Sequence, residues 1–322
     1  MRRREFIALV GGAVALPLAA RAQQAARQVH VGLLSTAGTF SNSVFQAFLH
    51  EMRRLGYDDT RVAYEFRSAG GDVTRLPTLA AELTAMPIDV IVTDGTPAAR
   101  AAKEATTQVP IVMATVGDPI ASGVVGNLAR PGGNITGFTL LSLELSSKWL
   151  ALLKEVVPAV RRIGVLWSRA NSPLQFAATQ AAARALDVAI ESGEVQNPEA
   201  IASTIDGLAG RGATALVVLP EALFWNQRKT VLARAAAHRL AAIYPEREYV
   251  DDGGLIAFGP NVPENFRRAA GYVDRILKGA KPADLPVQQP AKFELIISMK
   301  SAKAIGLDVS PSLLSRADEV IE

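Results

Sequence analysis

Cysteine is absent from all 322 residues. That excludes disulfides, thiolate metal sites, iron–sulfur clusters and a lipidated-cysteine anchor. Histidine is scarce: His30, His50 and His238 lie far apart. No Asp/Glu/His group has the spacing of a metal site. H-E-x-x-H, G-x-S-x-G, the P-loop pattern and a G-x-G-x-x-G after the first strand are also missing. Nothing in this inventory gives a reason to expect an enzyme, and no cofactor is expected.

Charge of one sign is scarce once the N-terminus is set aside. The formal net charge is +3, and Arg2, Arg3, Arg4 and Arg21 against Glu5 account for all of it. From Gln23 onward the chain is near neutral and lacks the basic patch that binds a phosphate backbone. Nucleic acid is therefore not an expected partner. Hydrophobic residues make up 49% and charged residues 20%, which marks a globular chain. The length suffices for two domains.

Residues 1–22 read as an export signal. Arg2, Arg3 and Arg4 form a basic head, Phe6–Ala20 an apolar core, and Ala20-Arg21-Ala22 an A-x-A cleavage site. Arg3-Arg4-Glu5-Phe6-Ile7 resembles the twin-arginine signal. Gly11, Gly12 and Pro17 break the apolar core, which is short for a membrane anchor. The expectation is cleavage after about Ala22 and a monomeric periplasmic protein with no remaining anchor.

The stretch Ile88–Val125 organises the rest of the chain. Twice, a short apolar run (Val90–Thr93, Ile111–Ala114) ends in a small-polar loop and a helix-like segment. Such units form parallel sheets buried on both faces. Val29–Leu34 opens the series, and Phe45, Phe48, Leu49, Met52 and Leu55 come next at helical spacing. From Arg162 the pattern restarts, with runs at Ile163–Trp167, Val188–Glu191, Ala215–Leu219 and Ala242–Tyr244. Each half therefore holds four βα-like units in one order, a repeat of pattern rather than identity. The tail adds Leu255–Phe258, an amphipathic helix from Phe266 to Leu277, and Phe293–Ser298. The fold class expected is α/β, two doubly wound parallel-sheet lobes joined by a hinge that the chain crosses more than once. The expected division is 29–138 plus about 255–285 for the first lobe, and 139–254 plus about 286–322 for the second.

Doubly wound sheets bind ligands outside the carboxyl ends of their strands. Six loops then face a common cleft: Ser35–Phe40, Asp94–Ala98, Thr115–Asp118, Trp167–Asn171, Pro220–Phe224 and Pro245–Glu248. The first half supplies Ser35, Thr36, Phe40, Asp94, Thr96, Pro97, Ala98 and Asp118 as candidates. The second supplies Trp167, Asn171, Glu221, Phe224 and Glu246. Thr96-Pro97-Ala98 offers a hydroxyl and helix-terminal amides to a carboxylate; its ordinary use is an N-cap with Pro97 first in the helix. Asp118 suits a ligand ammonium or merely caps the next helix. Trp167 suits stacking on a planar ligand or core packing. Glu221, Phe224 and Glu246 compete with roles as exposed loop residues or surface ion pairs.

Several segments carry a family resemblance: Gly95-Thr96-Pro97-Ala98-Ala99, Gly117-Asp118-Pro119, Arg130-Pro131-Gly132-Gly133-Asn134-Ile135-Thr136-Gly137, Ile276-Leu277-Lys278-Gly279-Ala280-Lys281-Pro282 and Ala302-Lys303-Ala304-Ile305-Gly306-Leu307. In order and spacing over Val29–Leu307, the chain resembles the tryptophan-type family of periplasmic substrate-binding proteins of ABC importers. The resemblance implies a type I periplasmic-binding-protein fold, capture of a small solute, and an ABC permease as partner. The second-half loops differ from the Asn/Asp-type residues of the family's aromatic amino-acid binders. Two other classes remain open: a sensory subunit reporting to a receptor kinase, and an exported Rossmann-like enzyme.

Overall fold

The apolar runs pair as strands. The computed structural model describes residues 28–322 other than 141–142, 170–171 and 291. The leader segment 1–22 and Asn171 lie outside the described residues. β1 (Val29–Ser35), β2 (Val62–Ser68), β3 (Val90–Asp94), β4 (Ile111–Val116) and β5 (Ile135–Thr139) form the first sheet, in the order β2-β1-β3-β4-β5. Every neighbouring pair is parallel. β4 is buried along its whole length, as both covered faces require. Helices α1 (Ser43–Arg54), α2 (Leu76–Thr84) and α3 (Thr96–Ala105) connect these strands. α1 turns Phe45, Phe48, Leu49 and Met52 inward, and Asn42 caps it, its Oδ1 accepting from Phe45 N at 3.0 Å.

The second sheet holds β6 (Arg162–Trp167), β7 (Ala189–Glu194), β8 (Ala215–Val218), β9 (Ala241–Tyr244), β10 (Ile256–Pro260), β11 (Phe293–Ser298) and β12 (Glu319–Ile321). Its order is β12-β11-β10-β9-β8-β6-β7. Read from β7, five strands repeat the order of the first sheet, so the repeat is one of topology. β11 departs from the parallel scheme, running antiparallel to β10. The helices here are α4 (Leu145–Val156), α5 (Pro173–Ala185), α6 (Ala200–Gly210), α7 (Ala222–Asn226), α8 (Arg228–Ala237) and α9 (Arg247–Asp251). α10 (Val262–Leu277), α11 (Met299–Ala304) and α12 (Pro311–Leu314) complete the chain. Two doubly wound α/β lobes result.

The chain passes between the lobes after β5, at Asn261, and between Gln288 and Phe293. α10 returns to the first lobe and buries Phe266, Ala269, Ala270 and Val273 beside α1. Phe266 meets Phe45 edge-to-face at 5.1 Å. Tyr57 Oη donates to Asp274 Oδ1 at 3.1 Å from the first lobe. Gln288 N donates to Gly137 O at 2.9 Å, holding the return segment on β5. One boundary needs correction. Residues from 255 to 260 do not belong with the first lobe, because β10 pairs in parallel with β9, Ile256 opposite Ile243. Ile256 is wholly buried in the second core. Among the described residues no helix is long and apolar enough to cross a membrane.

Candidate ligand-binding cleft

Between the lobes lies a cavity of about 340 Å³. Five of the six expected loops reach it, from the ends of β1, β3, β4, β8 and β9. A wider opening of about 840 Å³ continues outward between Gly70 and Gly71 on one side and Gln196 and Asn226 on the other. The lobes touch at this mouth. Asn226 Nδ2 sits 3.1 Å from where a Cβ at Gly71 would stand.

The first-lobe wall is built around Asp94. Its two carboxylate oxygens accept from Ser35 Oγ at 2.9 Å and Thr115 Oγ1 at 2.7 Å. Burial pushes the Asp94 carboxyl above the usual range, and those two hydroxyls act the other way. Gly95 comes next with φ at +93°, and a Cβ there would fall 2.5 Å from Thr36 Oγ1. Only glycine permits this turn. Gly95 is also the N-cap of α3 and has no side chain to bond the first amides. Thr96 thus stands one position inside the helix, not at the cap, and its Oγ1 accepts from Gly117 N at 3.1 Å. The uncapped end of α3 remains directed at the cavity edge that Thr96 and Pro97 line.

Other first-lobe candidates are placed differently. Ser35 is wholly buried and supports Asp94 rather than lining the cavity. Ala98 is a core residue with no exposure. Phe40 packs its ring against Phe66 at 5.6 Å. Asp118 caps a turn rather than a helix and stands outside the main cavity. Its Oδ1 accepts from Ile120 N and Ala121 N at 3.0 and 2.9 Å, capping that turn. Its Oδ2 is buried without a partner, in a narrow gap facing Ser172 and Gln175 of the second lobe.

The second lobe corrects two aromatic assignments. Trp167 ends β6 in the core, stacked on Phe176 at 4.1 Å with rings 2° from parallel. Its Nε1 donates to Ser192 Oγ at 2.9 Å. Phe224 has no exposure and belongs to the core under α7. Neither reaches the cavity. Glu221 does, and Ser172 Oγ lies 3.0 Å from its Oε1. Glu246 also lines the cavity, and its Oε2 is sealed from solvent without a partner. Burial, with the neighbouring charge of Glu248, pushes Glu246 up to about 8.

Lining residues not named as candidates include Asn42, Trp225, Arg228 and Glu248. Glu248 lies within an expected loop. Trp225 and Arg228 lie beyond the Pro220–Phe224 loop, where α7 carries the chain back along the cleft. Asn42 has only its helix-capping position as a signal.

The Glu246 environment has a consequence for stability. The folded, ligand-free chain holds a proton on Glu246 that the unfolded chain gives up above the ordinary glutamate range. Between that range and about pH 8 the native state binds more protons, so stability falls as pH rises. Denaturation of ligand-free protein at pH 5, 6.5 and 8 should show this decline, of at most about 1.4 kcal/mol per pH unit from one group. Glu246→Gln should flatten it; an unchanged slope in that variant would assign the decline to other groups.

Comparison with known proteins places this geometry. The chain is 27% identical over 266 residues to the tyrosine-binding protein of Clostridioides difficile (strain R20291), covering 81% of this chain and 76% of that protein. It superposes with a TM-score of 0.86 on the ABC domain in complex with L-Trp from Streptococcus pneumonia. Identity there is 27%, with 91% of this chain and 100% of the other covered. The ligand-free, open structure of CD0873 from Clostridium difficile shares the fold, with a TM-score of 0.70 at 24% identity over 91% and 99% of the two chains. The architecture is the type I periplasmic-binding-protein fold. Residues 41–321 match the ABC transporter substrate binding protein family as a whole, and this chain belongs to that family.

Proposed function

We propose that this chain is the solute receptor of an ABC importer. It captures a small organic solute, an amino acid or another aromatic or carboxylate-bearing compound, in the interlobe cavity and delivers it to the permease. It works as an exported periplasmic monomer, freed of its leader after about Ala22, and binds its solute without turning it over. The observation that carries this reading is the cavity walled by strand-end loops of both lobes. A solute bridging Thr96 on one side and Glu221 on the other favours the closed form through its contacts with both lobes. The uncapped end of α3 suits the carboxylate of such a solute. The tyrosine and tryptophan named for two relatives support the amino-acid end of the range.

The test is titration calorimetry of the chain from Gln23 against amino acids, aromatic acids and an extract of small metabolites from its host. The expected dissociation constant is near micromolar, about −8 kcal/mol. Thr96→Ala and Glu221→Ala should each weaken binding by roughly tenfold, one hydrogen bond to a charged group apiece. A folded protein that binds nothing in the panel or the extract would end the proposal.

A further inference from the structure

The solute is narrowed by the charges around the cavity, an argument that rests on the receptor reading above. Asp94 stands in the first-lobe wall, and Glu246 and Glu248 in the second. Among the described residues, the one cation lining the same space is Arg228. It is shared: Nε donates to Asp252 Oδ2 at 2.7 Å and Nη1 to Trp225 O at 3.3 Å, while its charge also reaches Glu248. The neighbouring Arg247 is likewise held by Glu319 and Asp251.

Carboxylates collected in one half-enclosed space repel one another and lose hydration, and each needs a cation or a proton. Burial holds Asp94 and Glu248 above the usual carboxylate range, the same direction as Glu246. One further atom points the same way. Glu246 Oε2 is sealed from solvent with no hydrogen bond. A neutral zwitterion brings one ammonium and adds a carboxylate, which leaves the imbalance where it was.

We propose that the solute is net cationic, a basic amino acid whose second charged nitrogen sits against Glu246 and Glu248. In a basic amino acid the carboxylate takes the end of α3 and the α-ammonium takes Asp94. The distal nitrogen then reaches the second-lobe acids, so the cation itself draws the lobes together.

Calorimetry with L-lysine and L-ornithine against L-norleucine and L-tyrosine tests the charge directly. Norleucine keeps the length of lysine and lacks only the distal amine. Lysine or a shorter relative should bind at least about tenfold more tightly than norleucine, as a charge-assisted hydrogen bond with a desolvated partner provides. Glu248→Gln should remove most of that advantage, bringing lysine to within about twofold of norleucine in the same variant, and Glu246→Gln serves if the first variant melts early. Tyrosine or norleucine binding as tightly as lysine and ornithine would overturn the cationic assignment and leave the receptor reading intact. No binding by any compound, with none recovered from host extract, would instead remove the receptor reading beneath it.

Discussion

Gly259→Ala is expected to destabilise the second lobe by about 3 kcal/mol or more, and to weaken solute binding in whatever remains folded. A Cβ at Gly259 would lie 1.7 Å from Pro245 O and 2.8 Å from Pro245 C. These are backbone atoms, so no side-chain rotation relieves the overlap. β10 cannot slide away either, because Gly259 pairs with Glu294 on β11 while Ile256 and Ala257 pair with β9 on the other side. The displaced strand end would be Pro245, the residue immediately before Glu246. Urea denaturation should show the lost stability, and calorimetry the lost affinity. Gly271→Ala is the matched control: it lies within α10 with nothing inside 4 Å of its Cβ position. That change should stabilise by up to about 1 kcal/mol through helix propensity. A Gly259→Ala protein as stable as its parent would show that the β10–Pro245 approach is wrong.

Trp167→Ala should cost about 3–5 kcal/mol of stability, the range for emptying a buried aromatic site. The indole is 5% exposed, lies flat on Phe176, and its N–H is spent on Ser192. Trp167→Phe keeps much of the stacking and should recover part of the loss. The informative measurement is affinity: Trp167→Phe should bind solute within about twofold of the parent, because the ring faces the core. A tenfold loss of affinity with stability preserved would return Trp167 to the cleft.

The two aromatic misplacements show where sequence reading runs out. The run Ile163–Trp167 fixes a strand and its end, but not which side the last ring takes. Phe176 on the next helix makes that choice, its flat face standing at stacking distance. Phe224 sits in α7, five residues long, too short for periodicity to reveal an inward side. Polar residues beside glycine and proline are more legible. In Asp94-Gly95-Thr96-Pro97 the glycine and proline mark the loop and the helix start, but the cap falls on Gly95 at positive φ and not on Thr96. The alternation of strands and helices is legible for a related reason, since burial on both faces demands continuous apolar runs. Partner choice between two similar sheets is not: nothing in Ile256–Pro260 says which edge completes its hydrogen bonds, and the adjacency of β9 decides it.

The return of α10 to the first lobe sets an order of manufacture. Residues 29–139 leave the ribosome first, yet the face holding Phe45 is covered by Phe266, which is made more than a hundred residues later. At roughly 5–20 residues per second that interval is on the order of ten seconds. Throughout it the nascent first lobe carries an oily, unfinished side. The part of the protein that is synthesised earliest is therefore among the last to be sealed, and a chain truncated before Val262 would be left permanently in that state.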